Sequence, residues 1–337
     1  MKNITKFETT PQQIGSIFQA AGLGEVSCIN ELSDGWFNRI FSAVAKDGKK
    51  YVLKLAPSKD AKVLSYEKDM MESEVNCYRL LAEKTNIKMP KIVFSDFSQK
   101  VVPTSYFIME YLNGERLDKA KLTPQERQKS KEQMAWILSE FHKIKGESYG
   151  YEQMGLRDNF KDALATMTKK LIEDAASFGK KCRVGEKLLH YIDKFSSILE
   201  KVPCVLVNFD LHSMNIFCSS TQDGEIELAL FDLERGFWGD PIGDFVTPEP
   251  LKRLTKKAVF IGYNRFVEKK ILAGREEEIR FALMTGYLAV ITYVERFSRF
   301  RGAGKYTNSV FLIGTIASKL FKRQAFSALK KFSNEKG

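Results

Sequence analysis

The sequence predicts an α+β chain of two lobes, a small antiparallel sheet lobe followed by a larger helical one. Three observations predict it. A chain of 337 residues is long for one hydrophobic core. Strand-forming runs separated by tight turns crowd into residues 1–111, and helical periodicity dominates residues 112–337. Two further strand-like apolar runs inside the second part each end in a carboxylate, Asp210 and Asp232.

Taken in order, Thr10-Pro11 followed by Ile14, Ile17, Phe18 and Ala21 and closed by Gly22 marks a short amphipathic helix. Threonine serves as its N-cap and proline takes the first helical position. L-S-D-G-W-F-N-R-I-F-S-A-V is a turn flanked by strand formers, Asp47-Gly48 is a hairpin turn, and Tyr51 to Leu55 is the returning strand. Lys54 stands central in that otherwise apolar strand, where an ammonium needs a partner. A helix is expected from Tyr66 to Glu83, and it offers Glu67, Glu72 and Glu74. Lys91 to Phe97 and Ser105 to Tyr111 complete a five-stranded antiparallel sheet.

In the second part, Thr123-Pro124-Gln125-Glu126 is a capping box that opens a helix carrying apolar residues to Leu138, Phe141 and His142. His142 reads as a packed helix residue. Amphipathic helices follow near Asn159 to Phe178 and Val184 to Leu199, and three more helical patterns lie beyond Leu251. Tyr287, Tyr293 and Phe297 recur at helical spacing and read as core.

Composition narrows the class. A hydrophobic content of 44% is ordinary for a globular protein. The N-terminal M-K-N-I-T-K-F-E-T-T lacks the apolar core of a signal peptide, and the best apolar run, Tyr287 to Val294, is too short to span a bilayer. No membrane partner is therefore expected. Five cysteines without a C-x-x-C pair argue for a reducing, cytoplasmic setting. Three histidines leave little for zinc, so a metal would be held by oxygen. Residues 241–337 carry 19 Lys and Arg against 8 Asp and Glu, which accounts for the whole net charge of +11. This excess suits a solvated surface or an anion-attracting one, and no nucleic-acid signature accompanies it.

The chemistry concentrates in V-N-F-D-L-H-S-M-N-I-F followed by E-L-A-L-F-D-L-E-R-G. Phosphoryl transfer needs one carboxylate to orient and deprotonate an attacking hydroxyl, and a second carboxylate with an amide oxygen to hold magnesium on the phosphates. Asp210, Asp232 and Asn215 supply that set, and the D-x-x-x-x-N spacing matches the kinase catalytic loop. The stretch, with F-D-L-E-R-G-F-W-G-D-P-I-G-D-F behind it, resembles the aminoglycoside phosphotransferase family, which writes H-G-D-L-H-x-x-N, I-D-W-E and G-D-P-x-x-D. The family's His-Gly is Asn208-Phe209 here.

The resemblance implies a protein kinase-like fold, with residues 1–111 as nucleotide-binding lobe, a hinge at 108–114, and residues 112–337 as catalytic and acceptor-binding lobe. It implies Asp210 as base, Asn215 and Asp232 as Mg2+ ligands, and Lys54 with Glu74 as the clamp on the α- and β-phosphates. Glu67 and Glu72 compete with Glu74 for that place. The first hairpin would fold over the phosphates, with Ser33 and Gly35 allowing a close backbone approach. F-I-M-E-Y-L-N-G-E-R-L resembles the hinge, which sets the nucleotide base against the main chain of Glu110 to Leu112. Asp244 reads as a hydrogen-bonding brace of the catalytic loop. The implied donor is ATP or GTP and the implied acceptor a hydroxyl of an aminoglycoside, a choline-like alcohol, a sugar or another metabolite. The basic C-terminal part disfavours a polycationic acceptor. The rival reading is a catalytically weak nucleotide-binding regulator, motivated by Asn208-Phe209. A protein kinase fits less well, since no A-P-E segment is found and few residues separate Asp232 from Asp244.

Overall fold

In a computed structural model the chain is described over residues 6–32, 37–220, 223–298 and 305–334. Helix α1 (Pro11–Ala20) opens with Thr10 accepting from the Gln13 amide, and the Gln13 side chain answers to the Thr10 amide, so two orphan N–H groups are satisfied. Strands β1 (Val26–Glu31), β2 (Arg39–Ala45), β3 (Lys50–Leu55), β4 (Ile92–Asp96) and β5 (Tyr106–Glu110) follow, with α2 (Met70–Lys84) between β3 and β4. They form one antiparallel sheet in the order β1-β2-β3-β5-β4.

Alternation along the strands sorts their side chains between two faces. Leu53 and Leu55 of β3, with Tyr106 and Ile108 of β5, pack against Ile14, Ile17 and Phe18 of α1. The opposite face carries Lys54 and Phe107, which are register partners, and Phe107 packs on Tyr78 of α2. The apolar face therefore places the one lysine of this strand core on the side that looks toward α2.

Helix α2 starts later than the expected Tyr66. Residues 65–67 form a 3-10 turn in which the Glu67 carboxylate accepts from the Leu64 amide, and Asp69, at φ 53, breaks the path before Met70. Glu67 is thereby committed to capping and Glu72 is exposed, while Glu74 is buried.

Past the sheet, β6 (Glu115–Arg116) leads to α3 (Pro124–Lys143), whose capping box forms with both of its bonds. Gly114 sits at φ 134, and a Cβ there would meet the Cys218 carbonyl at 2.5 Å, so this crossing requires glycine. Helices α4 (Phe160–Ser177), α5 (Arg183–Lys194) and α6 (Ser196–Leu199) follow, and the expected single helix through Leu199 breaks at Phe195. Then come β7 (Val205–Val207), β8 (Ile216–Ser220), β9 (Ile226–Leu230), β10 (Phe237–Gly239), α7 (Ala258–Tyr263), α8 (Arg275–Ser298) and α9 (Lys305–Asn334). β7 pairs with β10, and β6, β8 and β9 form a second small sheet. Helix α8 is buried along most of its length and lies within the main core with Val207, Phe209 and Phe245. Tyr287 is fully buried in it, as expected of a core aromatic. Among the described residues no helix is long and apolar enough to cross a membrane.

Candidate active site

A cleft of about 640 Å³ is lined on one side by Ile40, Val52, Lys54 and Met109 of the sheet and on the other by Asp210, Asn215 and Asp232. Glu110 and Leu112 line it where β5 leaves the sheet. Lys54 Nζ lies 2.9 and 2.8 Å from the two carboxylate oxygens of Glu74 and 2.8 Å from Asp232 Oδ1, with Glu234 Oε2 at 3.5 Å. Burial works against the charge on Lys54, yet Asp232, Glu74 and Glu234 together hold it well above its ordinary range. Burial likewise pushes Glu74 up to about 7, against the pull of Lys54. A fully buried ammonium is tolerable only with such partners, because an unpaired one loses its hydration without return.

Asp210 and Asn215 are set by the loop between β7 and β8. The Asn215 amide nitrogen donates to the carbonyl and to Oδ2 of Asp210, both at 3.2 Å, which leaves its amide oxygen as the atom to offer a cation. Asp210 N–H donates to Asn208 Oδ1 at 2.9 Å, so the asparagine that replaces the resembling family's histidine braces the loop from within. Phe209 holds φ 57, an unfavourable value for a bulky residue. Its ring is buried against Phe237 and Tyr287 at centroid distances of 5.5 and 5.7 Å. Asp232 also sits at positive φ, 64, with its N–H donating to the Tyr78 hydroxyl at 2.9 Å. Carboxylate oxygens of Glu74, Asp232 and Glu234 come within 4.8 Å of one another. With the Asn215 amide oxygen nearby in the same cleft, the donors are all hard oxygens, which suits magnesium rather than a thiolate-seeking metal.

The loop rests on Asp244. Its carboxylate accepts from the Asn208 amide at 3.1 Å, the Phe209 amide at 2.6 Å and His142 Nε2 at 3.0 Å. His142 Nδ1 lies 2.9 Å from the Tyr263 hydroxyl, so the tautomer that donates from Nε2 and accepts at Nδ1 satisfies both partners. Gly243 lets this turn pack close to α8, since a Cβ there would stand 3.2 Å from Met284 Cε, tighter than ordinary contact. Asp244→Ala orphans two buried amides and is expected to destabilise by about 1–3 kcal/mol for each. Chemical denaturation of both proteins checks it.

Of the residues singled out from sequence, Lys54, Glu110, Leu112, Asp210, Asn215 and Asp232 share the cleft, and Glu74 stands behind Lys54. Gly35 and Ser33 lie outside the described residues. Four further side chains, Asn38, Glu234, Arg235 and Glu295, line the cleft. Asn38 donates to Glu234 Oε2 at 2.9 Å across 196 residues of chain. Arg235 places Nε 3.5 Å from Asp210 Oδ2 and Nη2 2.7 Å from Glu295 of α8. Burial disfavours the Arg235 charge, but the Asp210 and Glu295 carboxylates keep it well above the usual arginine range. The signal for Glu234 and Arg235 is their place directly after F-D-L. Glu295 has none, because only folding brings α8 to the loop.

No protein of curated function matches the sequence. Among solved structures, the chain is similar to a provisionally assigned aminoglycoside phosphotransferase of Ralstonia eutropha JMP134, at 14% identity and TM-score 0.63 over 95% of this chain and 99% of that one. It is similar to the GDP and kanamycin complex of APH(2″)-IIIa at 13% identity and TM-score 0.62, covering 93% and 99% of the two chains. It is also similar to the streptomycin–ATP complex of APH(2″)-IIa at 18% identity and TM-score 0.57, covering 95% and 98%. At such identities the likeness speaks for the fold, which is the kinase-like α+β fold of aminoglycoside phosphotransferases. A model of the phosphotransferase enzyme family matches residues 29–247, about two thirds of the sequence, and its span takes in Lys54, Glu74, Asp210, Asn215, Asp232 and Asp244. The chain belongs to the phosphotransferase enzyme family.

Proposed function

We propose that the protein transfers the γ-phosphate of ATP or GTP to a hydroxyl of a small molecule, in a magnesium-dependent reaction. The observation that carries this reading is Lys54, buried between Glu74 and Asp232, facing Asp210 across one cleft. Lys54 contacts the α- and β-phosphates, and Glu74 holds its ammonium in place. Asn215 and Asp232 would hold magnesium, which would offset the charge of the nucleotide phosphates. Asp210 orients the acceptor hydroxyl and takes its proton. Arg235 Nε, 3.5 Å from Asp210 Oδ2, sets a positive charge beside that carboxylate and ties it to Glu295 of α8.

Residues 1–111 form the nucleotide lobe and 112–337 the catalytic and acceptor lobe, with the hinge at 108–114. The Glu110 and Tyr111 amides already donate to the Lys91 and Lys50 carbonyls. The Leu112 amide has no backbone partner among the described residues, which supports it as a donor to the nucleotide base. Kanamycin and streptomycin are the aminoglycosides in the complexes of two fold neighbours, and they join sugars and choline-like alcohols among the acceptor classes to try. Five free cysteines support a cytoplasmic setting. The regulatory alternative rests on Asn208-Phe209. It is the weaker reading, because Asn208 Oδ1 supplies an internal brace to the loop.

The test is a screen of metabolites and antibiotics for acceptor-dependent consumption of ATP or GTP, run beside Lys54→Ala. The wild type is expected to consume nucleotide with at least one acceptor class, and to gain thermal stability from Mg-nucleotide that Lys54→Ala largely loses. Equal stabilisation and equal turnover in the two proteins would remove Lys54 from the phosphates.

A further inference from the structure

We propose that the segment 261–272 docks on the surface of a bilayer containing anionic phospholipid. The positive charge left unexplained by the cleft provides the first observation. Residues 251–275 hold eight Lys and Arg against the single acid Glu268. Lys257 is buried, its ammonium donating to the Pro248 and Glu249 carbonyls at 2.6 and 2.7 Å, but Lys269 and Lys270 are exposed and have no ion pair among the described residues.

Exposed apolar side chains accompany that charge. Of twelve large hydrophobic residues exposed among the described residues, seven lie beyond position 250, in the same part that holds the whole net charge. Leu272 is 73% exposed and Ile261 53%, with Phe266 at 39%. A closed backbone loop holds Phe266 and ends beside Leu272. Asn264 Nδ2 donates to the Ile271 carbonyl at 2.9 Å and its Oδ1 accepts from the Ile271 amide at 2.8 Å. This closes residues 264–271 into a loop that contains Phe266, Lys269 and Lys270 and is followed directly by Leu272.

Bare aliphatic and aromatic side chains beside unpaired lysines match the two attractions of a membrane interface, insertion at the acyl boundary and pull toward anionic headgroups. A nucleic acid would reward the charge and leave Leu272 and Ile261 without a partner. The absence of a spanning helix among the described residues is no objection, because such a contact lies on the surface.

Flotation of the full chain with phosphatidylcholine vesicles, with and without phosphatidylglycerol, tests the proposal, alongside RNA homopolymer as a competing polyanion. The wild type is expected to float with phosphatidylglycerol vesicles only, and less so as salt rises. Lys269→Gln with Lys270→Gln should weaken binding about thirtyfold, and Phe266→Ser with Leu272→Ser by about tenfold or more. All four positions are exposed, so unchanged melting temperatures certify the variants. Flotation with neither vesicle, or equally with both, overturns the proposal. So does an apolar double variant that binds like wild type, since charge alone then explains the contact and RNA binding becomes the reading to pursue. The readout does not depend on phosphotransfer, so it stands or falls apart from the active-site assignment.

Discussion

Asp232→Asn is expected to abolish magnesium-dependent turnover. The carboxylate is one of only a few hard oxygen donors in the cleft, and a neutral amide holds a hard dication far less well. Loss of an outer partner of a metal site typically costs about 10–100-fold, and loss of a ligand should exceed the upper end of that range. The substitution also removes one of the carboxylates around Lys54 Nζ, which Asp232 Oδ1 approaches to 2.8 Å, so phosphate alignment suffers with it. The backbone should tolerate the change, because asparagine accepts positive φ as readily as aspartate does and the bond from its backbone N–H to the Tyr78 hydroxyl uses no atom of its own side chain. Titrating magnesium against rate in both proteins checks this. An unchanged magnesium dependence would place the metal elsewhere, with Glu234, whose carboxylate oxygen lies within 4.8 Å of those of Glu74 and Asp232, as the first candidate.

Asp210→Asn separates chemistry from binding. Asparagine keeps the size of the side chain and an oxygen to accept from Asn215 Nδ2, which now donates at 3.2 Å. What it removes is the carboxylate proposed to take the acceptor's proton. Turnover is expected to fall by about 10²–10⁴ while nucleotide affinity stays within a few-fold, as for loss of a general base. The neighbours sharpen the expectation. Arg235 Nε and His212 Nε2 each lie 3.5 Å from the Asp210 carboxylate, so the variant leaves both facing a neutral amide.

Much of the candidate site's arrangement was legible because its parts sit in local patterns. Lys54 stands out as an ammonium in an apolar strand, and its pairing with Glu74 follows from a helix crossing behind that strand. Asp210, Asn215 and Asp232 announce themselves by spacing, and Asp244 by the G-D-P-I-G-D turn that carries it under the loop. The capping boxes at Thr10 and Thr123 are likewise local and form as read. What was illegible depends on contacts far along the chain. Glu67 looks like a helix residue until burial turns its carboxylate onto the Leu64 amide, which delays α2 to Met70. The break at Phe195 has no glycine or proline to mark it, and its ring stacks on Tyr191 at 6.4 Å. Strands β6 and β10 are two and three residues long and exist only through their partners β8 and β7. Asn38–Glu234 and Arg235–Glu295 join residues that no sequence period relates.

The account stands most directly on one comparison, in which melting temperature, nucleotide affinity and turnover are measured on a single preparation each of wild type and Asp210→Asn. A capping role for Asp210 predicts a lower melting temperature with binding and rate falling together. The mechanism argued from Lys54, Asp210, Asn215 and Asp232 predicts a variant that melts like wild type, binds Mg-nucleotide within a few-fold and scarcely turns it over. A variant that melts normally, binds normally and still turns over near the wild-type rate would contradict it, because the proton would then be leaving through some group other than Asp210.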